Sequence, residues 1–70
     1  MTKYTDGKNI YYASAVLGEG KYAVCKKQIG AVSLGIHKYS HRKNPIVSTI
    51  EEAQDNLIAL AQIRKWEKCE

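Results

Sequence analysis

The sequence predicts an α+β domain: a three-stranded antiparallel meander with one C-terminal helix packed across one face, and room for a short fourth strand. Three observations carry this expectation. Two Tyr- and Val-containing runs flank Gly18-Glu19-Gly20, a tight-turn signal. Val32, Leu34 and Ile36 alternate with Ser33, Gly35 and His37, the pattern of a half-buried strand. From Thr49 onward there is no Gly or Pro, and apolar residues recur at helical spacing.

The elements follow in order. Residues 1–8 are polar with an Asp6-Gly7 turn signal and read as a loose N-terminal arm or the lead-in to a strand. Residues 9–47 read as the sheet and its basic loop. Ile10 to Leu17 is the first strand and Lys21 to Gln28 the second. A two-residue turn at Glu19-Gly20 would pair Leu17 with Tyr22 and Ala15 with Val24, collecting Ala13, Ala15, Leu17, Tyr22 and Val24 on one face. A three-residue turn would pair Val16 with Tyr22 instead, and we prefer the former. Gly30 marks a turn, Ala31 to Tyr39 the third strand, and Tyr39 to Pro45 a basic loop ended by Asn44-Pro45. Ile46-Val47 forms a short strand or a plug before the helix.

Residues 48–69 read as the helix. Thr49-Ile50-Glu51-Glu52 fits a capping box, with Ser48 or Thr49 as the cap. Glu51, Glu52 and Asp55 suit the positive end of the helix dipole, and Arg64, Lys65 and Lys68 the negative end. The helix should run to about Lys68, with Ile50, Ala53, Leu57, Leu60 and Ala61 as its inner stripe.

A chain of 70 residues is one small domain, with core enough for one sheet layer under one helix. At 44% hydrophobic and 26% charged residues it is globular rather than disordered. Cys25 and Cys69 do not resemble a disulfide framework and read as free thiols of a reducing compartment. The apolar run from Ile10 to Leu17 is too short for a signal sequence or a membrane span. The expected location is the cytoplasm, with no membrane partner.

Charge divides along the same boundary as structure. Residues 1–47 carry eight Lys and Arg against two acids, a net of +6, while residues 48–70 carry three against five, a net of −2. A basic sheet backed by an acidic helix points to a polyanionic partner. Catalysis is not expected. His37 and His41 fall at a strand end and in a loop, with no further ligands nearby in sequence, so neither a metal nor another cofactor is predicted. Nothing sequence-local activates either thiol as a nucleophile.

Lys21, Lys26, Lys27, Lys38, Arg42 and Lys43 come from adjacent strands and the following loop, interleaved with Tyr11, Tyr12, Tyr22 and Tyr39. Lysines neutralise phosphates, and tyrosines stack on bases or pack as ordinary sheet residues. Guanine-reading arginines are absent from the hairpin. At 100° per residue, Ala59, Ile63 and Trp66 share the helix side opposite Leu57. That patch either contacts a partner or a second copy of the chain, or Trp66 folds back to complete the core. Core completion is preferred in so small a domain.

Gly20-Lys21-Tyr22-Ala23-Val24, then Leu34-Gly35, then Thr49-Ile50-Glu51-Glu52-Ala53 with Ala61 further on, resemble three-stranded-sheet DNA-binding domains of the AP2 type and of phage and transposon integrase arms. The likeness spans roughly residues 20–61. It implies a sheet lying in the major groove, with Lys21, Lys26, Lys27 and Ser33 directed at DNA. The leading expectation is therefore a non-enzymatic DNA-binding module. The alternative is a small phage-type protein-binding regulator, or an inhibitor of a host nucleic-acid machine. It would dock through Ile63 and Trp66 or through the basic face.

Overall fold

A computed structural model describes residues 2–30 and 37–69. The elements are β1 (Tyr4–Thr5), β2 (Asn9–Ala15), β3 (Tyr22–Gln28), β4 (His37–Lys38), α1 (Ile50–Arg64) and β5 (Glu67–Lys68). They form an antiparallel sheet in the order β4-β3-β2-β1-β5, with α1 across one face. The fold is α+β, as the sequence predicts. No helix among the described residues is long and apolar enough to cross a membrane.

Residues 4–8 form a short strand and its turn rather than a loose arm. Thr5-Asp6-Gly7-Lys8 turns β1 back onto β2, pairing Tyr4 with Tyr11 and Thr5 with Ile10. Gly7 has a φ of 94°, which a side chain with a Cβ rarely adopts. Asp6 Oδ1 accepts from the backbone N–H groups of Lys8 (2.9 Å) and Asn9 (2.8 Å). Its Oδ2 accepts from the Tyr11 hydroxyl at 2.7 Å. The polar residues that suggested a free arm are the ones that bond the turn.

β2 and β3 pair in a register that neither anticipated turn produces. Ala13 lies opposite Val24 and Ala15 opposite Tyr22. The Val16 N–H donates to the Lys21 carbonyl at 3.0 Å, so Leu17 to Gly20 forms a four-residue loop. The offset from the preferred register is two residues, which leaves every side chain on its own face. Face assignment is therefore as expected, with Ala13 and Val24 buried. Ala15 is exposed and Leu17, inside the loop, is 66% exposed. Hydrophobic alternation has a period of two and cannot distinguish these registers; the turn decides.

The outer edge of β3 is completed by three different devices. β4 pairs Lys38 with Cys25 and His37 with Lys26. Val47 exchanges two 2.8 Å backbone bonds with Tyr22, so the expected fourth strand is a single bridge. Between them the Asn44 side chain stands in for a strand. Its Oδ1 accepts from Val24 N–H (2.9 Å), and its Nδ2 donates to the carbonyls of Val24 (2.9 Å) and Tyr39 (2.6 Å). Asn44 is 1% exposed, and these bonds satisfy the amide that burial removes from water. Of the expected third strand, His37–Lys38 is observed; Tyr39 follows outside it, and 31–36 lie outside the described residues.

Thr49 caps α1, its hydroxyl accepting from Glu52 N–H at 3.2 Å. Ala53, Leu57, Leu60 and Ala61 are buried and Ile50 is half-buried, as the stripe predicts. The helix ends at Arg64, not near Lys68. Lys65 adopts φ 59° and ψ 40°, and the N–H groups of Lys65 and Trp66 both return to the Ala61 carbonyl. This left-handed cap swings the chain off the helix axis. Trp66 then stacks on Tyr11, with ring centroids 3.7 Å apart and 5° between planes. Tyr39 meets both rings edge-on, at 5.4 and 5.2 Å. Burial of the indole against these rings accounts for the early stop, and β5 follows by pairing with β1.

Candidate nucleic-acid interface

Directly opposed residues of an antiparallel pair share a face, and faces alternate along a strand. Tyr11, Ala13 and Val24 thus face α1. Ile10, Tyr12, Ser14, Ala23, Cys25 and Lys27 face the other way. Lys38, opposite Cys25, joins this second face. So does Lys3, whose Nζ lies 5.9 Å from the centroid of the Tyr12 ring. One row across the helix-free face therefore reads Lys38, Cys25, Tyr12, Lys3. Lys27 lies in the next row, and Lys21 stands beside Val16 at the hairpin end.

The pleat divides the expected basic cluster. Lys21, Lys27 and Lys38 share the helix-free face and are exposed. Lys26, in register with Tyr11, turns to the helix side and is half-buried, so it does not join them. Arg42 and Lys43 are exposed in the loop beyond β4, where Lys43 N–H donates to His41 Nδ1 at 3.0 Å. Ser33 lies outside the described residues. Lys3 was missed because its segment read as an arm; Tyr4-Thr5-Asp6-Gly7 ahead of a strand is a hairpin signal that would have found it.

The tyrosines also part company. Tyr11 and Tyr39 belong to the helix-side core, whereas Tyr12 is half-buried among the lysines. Burial pushes the Tyr12 phenol up; neighbouring Cys25 acts in the same direction and Lys3 opposes it. Burial likewise raises the Cys25 thiol, with Lys38 pulling it back, so the thiol remains protonated at neutral pH. Ala23 and Cys25 are 0 and 1% exposed, so the exposed lysines surround a small buried centre. Toward the hairpin end, Ser14, Ala15, Val16, Leu17, Cys25, Lys38 and Ile46 line a depression of about 180 Å³.

The expected partner patch on the helix is not assembled. Ala59 and Ile63 are exposed, Ile63 by 50%, but Trp66 is 8% exposed and past the helix end. Both cysteines are free, Cys25 buried and Cys69 exposed. Among the described residues no group of three His, Cys, Asp or Glu could hold a metal ion. No known protein family, curated protein or solved structure matches the chain.

Proposed function

We propose that this chain is a small non-enzymatic DNA-binding module that contacts phosphates through the helix-free face of its sheet. The supporting observation is the gathering of Lys3, Lys21, Lys27 and Lys38 on the side away from α1. The exposed acids Glu51, Glu52 and Asp55 belong to the helix on the other side, while Glu67, opposite Thr5 in β5, ends the row that holds Lys27. A polyanion approaching the sheet meets cations that need no rearrangement of the core. Four neutralised phosphates correspond to a loss of about 100-fold in duplex affinity between 50 and 200 mM salt.

Fluorescence titration with labelled DNA at low and moderate salt tests this reading. Lys27→Glu with Lys38→Glu should abolish binding while thermal unfolding stays unchanged. No binding at low salt, or binding indifferent to the double substitution, would remove the proposal.

One observation favours a second reading, a protein-binding regulator or inhibitor of a nucleic-acid machine. Ile58 and Ile63 are 43% and 50% exposed on the outer side of α1, beside exposed Ala59. Apolar residues so placed suit a partner or a second copy. A chain that sediments as a monomer, and a partner complex unaffected by Ile63→Glu, would leave this reading without support.

A further inference from the structure

The helix-free face is five strands wide where a groove-reading element must be narrow. Five strands at a spacing of about 4.8 Å make a face roughly 19 Å across. The major groove of duplex DNA is about 12 Å wide and admits a helix or a two-stranded ribbon. The β2–β3 hairpin is not a free ribbon. β1 flanks it at Ile10 and Tyr11, β4 at Cys25 and Lys26, and Val47 at Tyr22. What projects is the loop from Leu17 to Gly20.

The chemistry of the face agrees with its shape. Its cations are lysines, which hold phosphates as point charges and lack the planar fork that reads guanine. Tyr12 lies between them, in one row with Lys38 and Lys3. An aromatic ring among cations is the platform on which unpaired bases stack, and every base has a face to offer it. In a duplex those faces are hidden by neighbouring base pairs.

We infer that the ligand is single-stranded nucleic acid, with a base stacked on Tyr12 and flanking phosphates held by Lys3, Lys27 and Lys38. This inference rests on the proposed nucleic-acid function and narrows it to one form of the polymer. Anisotropy of the full chain with a labelled mixed-sequence single strand, and with the same strand annealed to its complement, separates the two. The single strand should bind at least about 10-fold more tightly. Tyr12→Leu should weaken single-strand binding by about 10-fold or more and leave duplex binding unchanged, while Tyr12→Phe stays near the parent.

Salt-dependent binding of both forms with equal or greater affinity for the duplex would overturn this inference and leave the broader function standing. Equal single-strand binding by the folded Leu variant would overturn the role of Tyr12. If that variant does not fold, the single-strand to duplex ratio of the parent chain decides alone. Absence of binding to either form would sink both readings together.

Discussion

The two faces of the sheet are built on opposite principles. On the helix side Tyr11, Val24, Leu57, Leu60, Ala61 and Trp66 form a continuous core, with aromatic rings stacked or edge-on and Asp6 bonding the Tyr11 hydroxyl. On the other side the small residues Ala23 and Cys25 are buried, while Lys21, Lys27 and Lys38 on the same face are exposed. Side chains on the first face depend on one another, so a single loss spreads. Lys21, Lys27 and Lys38 on the second are exposed to water, so replacement changes what the surface attracts more than whether it folds. Stability and recognition are thereby assigned to different sides of one layer.

The sharpest way to break this contrast is Trp66→Ala. Removing a buried indole costs about 3–5 kcal/mol, a large share of what so small a domain holds. Urea denaturation should show a collapsed midpoint. A shift as small as that of an exposed lysine would mean that the helix side is not the stabilising one. Asn44→Asp should come next, at the edge the faces share. It sets a carboxylate against the carbonyls of Val24 and Tyr39, where Nδ2 now donates. We expect about 2–4 kcal/mol lost at neutral pH, part of it recovered on acidification.

Smaller and opposite in sign, Lys65→Gly should stabilise the fold by up to about 1 kcal/mol, read as a higher urea midpoint. The left-handed cap at φ 59° burdens a residue with a Cβ and suits glycine. The smallest effect expected is in the pH profile. Burial alone would raise the Asp6 carboxyl, but bonds from Asn9, Tyr11 and Lys8 outweigh it and hold the group below its usual 3.8. Its contribution is therefore present above that value and lost as pH falls through the lower folded one. Tyr11 is pushed up from 10.0 to about 12 by burial and by its bond to Asp6. Its contribution is present below 10.0 and lost as pH rises toward about 12. Asp6→Asn should flatten the acid limb and Tyr11→Phe the alkaline one, both read from thermal midpoints.

Much of this molecule is visible in its residues taken in order. The Thr49 cap, the stripe Ala53, Leu57, Leu60, Ala61 and the two long strands follow from local periodicity and capping chemistry, which act over a few residues. The excess of cations before residue 48 is equally direct. Trp66 illustrates the limit. Helical spacing carried it onward with Ala59 and Ile63, because propensity alone gives no reason to stop at Lys65. The stop comes from an aromatic partner on a strand more than fifty positions earlier in the chain.

The candidate interface shows the same division. That Lys21, Lys27 and Lys38 are basic and near strands is a property of the chain; that Lys26 is parted from them and Lys3 joins them is a property of register. Asn44 read as punctuation before a proline, yet its amide bonds a neighbouring strand twenty positions away. Interactions between near neighbours set α+β class, helix start and charge bias. Pairing across long separations set the hairpin register, the helix end and the membership of each face, because those choices are equal in local energy and are separated only by what lies opposite.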